Sequence, residues 1–267
     1  MNPSPILASD VWIDHPNGRL FSRLWHGAGE NQAGSKKTPI VLLHDSLGCV
    51  ELWRDFPALL AAATGRDVIA YDRLGFGRSD RRQGKLPLDF IADEARIYFP
   101  VVCERHGVDR FIAFGHSVGG GMAVHCAAQY PERCEGLITE SAQAFVGEET
   151  RAGLLEAKRL FEDERALSRL EKYHGEKAKW VLDAWLGTWL APSFAAWSLN
   201  DVLPAVTCPV LAIHGALDEY GSSRHPETIA EHAGGPARVR ILPGTYHVPH
   251  KERPDEIAGL VAAFSSR

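Results

Sequence analysis

The sequence predicts an α/β fold in which helices cover both faces of a mostly parallel, twisted sheet. Short apolar runs rich in β-branched residues alternate along the chain with longer stretches of helical periodicity. The inner runs do not alternate polar and apolar residues, which is typical of strands buried on both faces of a parallel sheet. A glycine-rich turn around one serine joins a strand of this kind to a helical stretch, and it directs attention to a possible site.

The predicted elements follow one another in a simple order. Residues 11–15 and 20–25 flank the turn sequence H-P-N-G-R and are predicted to form an opening hairpin. The inner strands are predicted at 39–44, 67–71, 110–114, 135–138, 209–214 and 237–242. The helices are predicted at 52–64, 87–106, 117–130, 226–233 and 255–265. This alternation predicts parallel strands joined by helical crossovers.

Residues 145–199 break the alternation and are here called the inserted segment. Their pattern is helical throughout, first charged and then rich in tryptophan, with Leu182, Trp185, Leu186 and Trp189 on one helical face. Core packing accounts for most of such a stripe, but a helical block between two strands must lie outside the sheet layers. The sequence therefore predicts a core domain of residues 1–144 and 200–267, with the inserted segment as a helical cap.

Composition narrows the class of protein. The net charge of -5 over 267 residues gives no reason to expect a nucleic acid or an anionic membrane as partner. The sequence shows neither a signal-peptide pattern nor an apolar run near the roughly 20 residues that cross a bilayer. Five scattered cysteines predict reduced thiols in a cytoplasmic protein. The oligomeric state is left open.

Neither a metal nor a nucleotide cofactor is predicted. The sequence contains no H-E-x-x-H and no paired C-x-x-C, the usual zinc-ligand spacings. The G-F-G at residues 75–77 follows a strand, but it lacks the third glycine that opens a helix in a dinucleotide-binding loop. The expected partner is a small-molecule substrate alone.

Ser117 is the candidate nucleophile. It lies in G-H-S-V-G, where a predicted strand turns into a helix, a place that holds a serine in strained backbone with its hydroxyl projecting from the sheet. Gly115 and Gly119 flank the serine because side chains there would collide across the turn. The amino end of the following helix favours negative charge that develops near the hydroxyl.

A serine hydroxyl needs a base, and the base needs an acid that orients it. Asp218 and His247 each follow a predicted strand, so both should lie at the rim that carries the serine. The expected chain order is serine, acid, histidine. Glu219 and Glu140 are rivals for the acid, and His250 is a rival for the base.

The chain resembles α/β-hydrolase-fold serine hydrolases of the enol-lactonase, carboxylesterase and meta-cleavage-product hydrolase type. The resemblance rests on V-L-L-H, Y-D-R-L-G-F-G-R-S-D, G-H-S-V-G-G-G, P-V-L-A-I-H-G-A-L-D and L-P-G-T-Y-H-V-P-H-K-E-R-P-D-E, which follow the family's order from about residue 39 to 264. The family pattern H-x-P-x-x-E-x-P puts its catalytic histidine at His247. The resemblance implies that Ser117 is the nucleophile, His247 the general base and then acid, and Asp218 the orienting residue.

The resemblance also implies an oxyanion hole and a substrate pocket. The backbone N–H groups of Val118 and, by register, Ser46 should form the hole. Asp45 stands where family members usually have glycine, and its carboxylate is expected to point away from the oxyanion or to bind neighbouring backbone. Trp185, Trp189 and Trp197 should line a pocket for an apolar or aromatic group.

The expected function is a cofactor-free serine hydrolase acting on a small carboxylic ester, lactone, thioester or C–C bond substrate. Two alternatives stay open, since a fold does not fix chemistry. One is a cofactor-independent oxygenase or lyase in which His247 and Asp218 deprotonate the substrate. The other is a non-catalytic ligand receptor that retains the pocket.

Overall fold

A twisted eight-stranded sheet forms the centre of the protein. We describe it from a computed structural model that places residues 6–28 and 36–266. The strands are β1 (Ala8–Ile13), β2 (Leu20–Trp25), β3 (Ile40–Leu43), β4 (Val68–Tyr71), β5 (Phe111–His116), β6 (Cys134–Glu140), β7 (Val210–Gly215) and β8 (Ala237–Leu242). Their order in the sheet is β1-β2-β4-β3-β5-β6-β7-β8. The predicted hairpin pairs Ile13 with Leu20, and β2 runs antiparallel to β4.

The six strands β4, β3, β5, β6, β7 and β8, adjacent in this order in the sheet, all run parallel to one another. Their carboxyl ends therefore form one rim of the sheet. β3 is the central example, because all four of its side chains are buried and it pairs with both β4 and β5. Alternate residues of a strand face opposite sides of a sheet. Ile40 and Leu42 accordingly join one apolar cluster, and Val41 and Leu43 join the other. The predicted fold class is confirmed.

Helices cover both faces of the sheet. They are α1 (Phe56–Thr64), α2 (Phe90–Asp93), α3 (Phe99–Arg105), α4 (Val118–Gln129), α5 (Glu148–Leu160), α6 (Glu164–His174), α7 (Ala178–Trp189), α8 (Arg224–His232), α9 (Pro249–Glu252) and α10 (Pro254–Ser265). α1 and α10 bury Leu60 and Ile257 in the cluster that contains Ile40. α3, α4 and α8 bury apolar side chains in the opposite cluster.

Two of the predicted helices are interrupted where proline enters. In place of the predicted helix 52–64, the structure has a 3-10 turn at Val50–Trp53 and then α1, whose first turn contains Pro57. Residues 87–106 divide into α2, a wide π-type turn at Glu94–Tyr98, and α3 with Pro100 in its first turn. Proline has no N–H to donate and its ring crowds the preceding turn, so a helix starts or widens there.

The inserted segment leaves the sheet after β6 and returns before β7. It contains α5, α6 and α7, and its two ends pair with each other through an antiparallel bridge between Phe145 and Ser198. The Leu199 N–H donates to the Ala144 carbonyl beside that bridge. The segment is thus tied at its base, while the division into two domains stays a prediction.

Two further features concern the helices and the cysteines. Among the helices of the described residues, none combines the length and the apolar character needed to cross a membrane. All five cysteines are buried as free thiols.

Candidate active site

Ser117 occupies a strained turn between β5 and α4. Its backbone has φ 55° and ψ -125°, a conformation that costs a non-glycine residue on the order of 1–3 kcal/mol. A side chain at Gly115 would strike the backbone of Gly119, and one at Gly119 would strike the carbonyl of Leu43. The flanking glycines are therefore required by these close contacts, and they let the turn that carries Ser117 lie directly against β3.

Asp218 and His247 meet at the carboxyl rim. Asp218 follows β7, His247 follows β8, and His247 Nδ1 lies 2.8 and 2.9 Å from the two carboxylate oxygens of Asp218. The carboxylate also accepts the Tyr220 N–H at 2.8 Å. A carboxylate that accepts on Nδ1 keeps the proton there, so Nε2 is the free, basic nitrogen.

The same pair sets the charge state of the site. Burial of His247 opposes its charged form, but the charge of Asp218 and its hydrogen bond outweigh burial and raise the pKa of His247 above its ordinary value. Burial alone would raise the pKa of Asp218, and the interaction with His247 lowers it instead. The pair is therefore an ionised carboxylate beside an imidazole of increased basicity.

The backbone around His247 is held from two sides. The Glu252 carboxylate accepts the N–H groups of Tyr246 at 2.9 Å and Val248 at 3.3 Å, the residues on either side of the histidine. The His247 carbonyl lies 2.8 Å from His116 Nε2 and accepts its proton. Glu252, the glutamate of the H-x-P-x-x-E pattern in this chain, thus fixes the backbone on both sides of His247.

Ser117 and His247 line one cavity, and the Ser117 hydroxyl is hydrogen-bonded elsewhere. The Ser117 hydroxyl is directed at Gln143 Oε1, 3.5 Å away, and the described residues show no hydrogen bond between Ser117 and His247. Gln143 was not singled out in the sequence, although its place just beyond β6 on the same rim is a signal that could have found it. Unliganded sites often hold such contacts long, and they tighten when substrate binds.

The loop after β3 is held in place by hydrogen bonds to the backbone carbonyl of Asp45. The Asp45 carbonyl accepts from His44 Nδ1 and from Arg73 Nη2, each at 2.8 Å, and from the Gly48 N–H at 3.2 Å. The Arg73 N–H donates to His44 Nε2, so Nδ1 of that ring carries the proton. The C=O and N–H of one trans peptide point in opposite directions, which turns the Ser46 N–H away from this cluster of donors.

Both N–H groups expected in an oxyanion hole are free. Val118 is the first residue of α4, where an N–H has no partner within its helix. Within the described part of the chain, neither this N–H nor that of Ser46 has a hydrogen-bond acceptor. Ser46 lines the cavity together with Ser117.

Asp45 occupies the position at which the family resemblance implies glycine, and it directly precedes Ser46 in the loop after β3. Its Oδ2 is 3.7 Å from Nδ1 of the buried His116, and its Oδ1 is buried against Gly48 with no hydrogen-bond partner among the described residues. The side chain also forms part of the cavity wall. The carboxylate thus leans toward His116.

Glu140 and His250, two of the alternative candidates for the acid and the base, are hydrogen-bonded to each other. His250 Nδ1 lies 2.5 Å from Glu140 Oε2, and both residues are buried. Burial raises the pKa of Glu140 to about 7 and lowers the pKa of His250 to about 3. Glu219 lines the cavity but is exposed, and Asp218 alone takes both contacts to His247.

The rivals also belong to the one group with metal-ligand spacing found among the described residues. Donor atoms of His116, Glu140 and His250 lie within 4.8 Å of one another. His250 already binds Glu140, and His116 donates to the backbone of His247. The hydrogen bond to His250 occupies Oε2 of Glu140, whereas its Oε1 is buried without a hydrogen-bond partner among the described residues.

The cavity in front of Ser117 measures about 210 Å³. It lies between the rim of the sheet and the inserted segment. The residues that line it are Asp45, Ser46, Leu47, Ser117, Gln143, Thr150, Leu154, Trp185, Trp189, Glu219, Tyr220, His247 and Val248. Among these described residues none is lysine or arginine, so the cavity offers aromatic surface and hydrogen-bonding hydroxyl, amide and carboxylate groups, without a guanidinium or ammonium group.

The three tryptophans expected in the pocket occupy different places. Trp185 and Trp189 of α7 form part of the cavity wall. Trp197 lies behind that wall, with its ring stacked on Phe194 at 5.5 Å and edge-on to Trp189 at 5.5 Å. It is not among the described residues that line the cavity.

Comparison with known proteins agrees with the fold. A family model described as alpha/beta hydrolase fold matches residues 38–166. The chain is 26% identical over 250 residues to the serine hydrolase BPHL of Mus musculus. This match covers 87% of the chain and 81% of the mouse protein. The solved enol-lactonase from Burkholderia xenovorans LB400 has a TM-score of 0.71 at 18% identity and covers 96% of this chain and 100% of its own.

Another relative is more similar in sequence, but over a shorter stretch of the chain. The chain is 39% identical over 116 residues to the 1-acylglycerol-3-phosphate O-acyltransferase ABHD5 of Homo sapiens, across 42% of this chain. That match spans only about a third, 31%, of the human protein. Taken with the sheet order and the family-model match, these likenesses show that the chain has the α/β-hydrolase fold. The proteins it resembles include hydrolases.

Proposed function

We propose that the protein is a cofactor-free serine hydrolase that cleaves small carboxylic esters or lactones through an acyl-enzyme, with Ser117, His247 and Asp218 as its catalytic triad. The observation that carries this proposal is the double contact between Asp218 and His247 Nδ1, which leaves Nε2 as the base in the cavity that the strained Ser117 enters. A buried, correctly ordered histidine–carboxylate pair facing a serine is the arrangement that acyl transfer needs.

The first step forms the acyl-enzyme. The Ser117 hydroxyl turns from Gln143 to His247, Nε2 takes its proton, and the serine oxygen attacks the substrate carbonyl carbon. The tetrahedral intermediate carries its negative charge on the former carbonyl oxygen. His247 then gives the proton to the leaving alcohol, and the C–O bond to that alcohol breaks.

The oxyanion is stabilised by the N–H groups of Ser46 and Val118. Both lack an acceptor in the described structure, and the amino end of α4 adds its partial positive charge. Donors already in place before reaction are worth on the order of 100- to 1,000-fold each in kcat. The second half-reaction repeats the steps with water in place of the serine and releases the acid.

The cavity indicates the kind of substrate. Its volume of about 210 Å³ is below the range of roughly 300–1,000 Å³ usual for drug-sized ligands, which favours a small acyl group. Trp185 and Trp189 favour an apolar or aromatic portion. Because Asp45 and Glu219 line the cavity and no lysine or arginine does so among the described residues, a substrate bearing a free carboxylate is disfavoured.

The test is acyl-enzyme formation. The purified protein is mixed with p-nitrophenyl acetate, butyrate and octanoate and with an uncharged lactone, and quenched samples are analysed by intact and peptide mass spectrometry. We expect turnover, fastest with the short esters, and acyl mass on the peptide that contains Ser117. Release of p-nitrophenol with no acylated serine favours the dyad mechanism in which His247 acts as base. Absence of turnover with bound ester favours the receptor.

A further inference from the structure

His174, at the end of α6, reaches from the inserted segment into the core. It is buried, and both of its ring nitrogens bind backbone groups of the core. Nδ1 accepts the Gly77 N–H at 2.9 Å, and Nε2 lies 3.0 Å from the Leu47 carbonyl. Because an N–H can only donate and a carbonyl can only accept, the ring is neutral with its proton on Nε2.

One of these bonds acts on the loop that carries Ser46. Leu47 follows Ser46 directly, and both residues line the cavity. The Asp45 carbonyl on the other side of Ser46 is held by His44 and Arg73, which belong to the core. The backbone around the Ser46 N–H is therefore fixed on one side by the core and on the other by the inserted segment.

The surroundings keep His174 neutral and the contact in place. Burial lowers the pKa of His174 to about 4, with the charges of Lys177 and Arg73 in the same direction, and it outweighs the Leu47 hydrogen bond and the Asp45 charge, which act to raise that pKa. The Lys177 ammonium binds the carbonyls of Phe76 and Gly77, which secures the start of α7 to the same core loop. His174 therefore keeps one tautomer across the range in which His247 acts as base.

We propose that His174 is a positioning residue that orders the oxyanion hole only while the inserted segment is docked on the core. The inference rests on the proposed function for its catalytic meaning. If α6 moves away, the Leu47 carbonyl loses its donor, and the loop that carries Ser46 is then held only on its Asp45 side, by His44, Arg73 and Gly48. Docking of the inserted segment and completion of the hole are then one event, as in enzymes whose closing elements assemble the site.

Two amide variants separate the bonds of His174. His174→Gln places its amide near the position of Nε2 and can still donate to Leu47. His174→Asn places its oxygen near the position of Nδ1, so it can accept from Gly77 but cannot reach Leu47. The control is Tyr173→Phe, which removes a different bond between the inserted segment and the core, Arg54 Nη2 to the Tyr173 hydroxyl at 2.5 Å.

The catalytic readouts are kcat, KM and the Ki of a trifluoromethyl ketone, which forms a tetrahedral adduct whose oxygen needs the hole. We expect His174→Asn to lower kcat about tenfold at little change in KM and to raise the Ki by a similar factor. We expect His174→Gln and Tyr173→Phe to stay within about threefold of the parent protein. Equal kcat and Ki in all four proteins overturns the proposal, as does an equal loss in both amide variants.

A second readout does not depend on catalysis. Amide hydrogen exchange of the peptide that covers residues 44–48 should be faster in His174→Asn than in His174→Gln, Tyr173→Phe or the parent protein. Unchanged exchange in His174→Asn overturns the positioning role. If the parent protein hydrolyses no ester, the proposed function falls, and the exchange experiment still decides whether His174 holds the loop. Melting temperatures of all four proteins identify a variant that fails to fold.

Discussion

The environment of Ser117 is consistent with the proposed role of this residue as the nucleophile. Its positive φ occurs between glycines at which a side chain would clash, and its hydroxyl is directed at Gln143. A strained residue persists only where the surrounding structure determines it, and such residues concentrate at active sites. Gly115 and Gly119 are part of this support.

Replacing the nucleophile tests the role of Ser117 directly. Ser117→Ala removes one oxygen atom and keeps the turn, so ester hydrolysis should fall on the order of a million-fold in kcat while the melting temperature stays or rises. Hydrolysis of p-nitrophenyl butyrate and thermal unfolding measure the two effects. More than a tenth of the parent activity in the variant would assign the nucleophile to another residue.

The charges around His247 predict the pH dependence. His247 must be neutral to act as base, and its pKa is raised, so kcat/KM should increase with pH through a midpoint above 6.5. Glu219 is one of the charges that raise this pKa. Glu219→Gln should therefore move the midpoint to lower pH and keep most of the activity, with a smaller shift at high salt because Glu219 is exposed.

The matched control for this measurement is Glu227→Gln. It removes the same charge from an exposed position on α8 that does not contribute to the pKa of His247. Its kcat/KM profile should coincide with that of the parent protein. A midpoint that moves equally in both variants would show a general effect of net charge rather than the local field of Glu219.

At the scale of elements, strand ends decide which acid serves the histidine. β6 and β7 are neighbours, and each delivers a carboxylate to the rim, Glu140 and Asp218. Glu140, still within β6, is buried and meets His250 from α9. Asp218, beyond β7, meets His247 before that helix begins. The sheet thus carries two histidine–carboxylate pairs side by side.

The two pairs should respond differently to amide substitution. Asp218→Asn offers an amide N–H to Nδ1, favours the wrong imidazole tautomer, and should lower kcat about 10,000-fold. His250→Gln acts on the pair that does not line the cavity, so it should lower the melting temperature and keep at least about a tenth of kcat. Steady-state kinetics and thermal unfolding of both variants check this, and the opposite ranking would reassign the acid.

The contact between α4 and β3 depends on a glycine. Gly119→Ala would force a methyl group against the Leu43 carbonyl and should destabilise the protein by about 1–3 kcal/mol and lower kcat, because the nucleophile turn moves. Gly187→Ala in α7 is the control, since it has open space and should stabilise by about 0.5–1 kcal/mol. Denaturant unfolding measures both. Equal stability of the two variants would contradict the close-approach argument.

At the scale of the whole molecule, the cavity beside Ser117 exists because the inserted segment returns to the sheet rim. Thr150 and Leu154 come from α5, and Trp185 and Trp189 come from α7, while the other lining residues belong to the core. The contacts of His174 and Lys177 secure the side of the segment near the loop after β4. The segment therefore supplies both a wall and a tether.

The different places of the tryptophans predict different effects. Trp185→Ala enlarges the wall of the cavity and should shift the ratio of kcat/KM between octanoate and acetate esters toward the longer ester, with a modest change in melting temperature. Trp197→Ala removes a ring packed against Phe194 and Trp189 and should cost about 3–5 kcal/mol of stability with little change in that ratio. Loss of stability in both variants, with one substrate ranking throughout, would contradict the role of Trp185 as a wall.

The sequence by itself determined the sheet, its buried strands and the triad candidates, because these depend on local patterns. A buried strand is recognisable from its own residues, and parallel strands place their carboxyl ends on one rim. Ser117 and Asp218 follow buried strands, and His247 follows β8, whose side chains are largely exposed although the sequence pattern predicts a buried strand there. Chain order and strand ends brought the three residues forward, and the resemblance to the family pattern was needed to choose His247 over His250. The interrupted helices at Pro57 and Pro100 carried their own signal in the sequence.

Only the tertiary structure decided which distant groups meet. That Glu140 takes His250, that Gln143 receives the Ser117 hydroxyl and that Trp197 lies behind the cavity wall depend on contacts between residues far apart in the chain. Such contacts follow from how helices pack on the sheet, which no local pattern specifies. The contact of His174 with Leu47 spans 127 residues and exists only because the inserted segment folds back onto the loop beside Ser46.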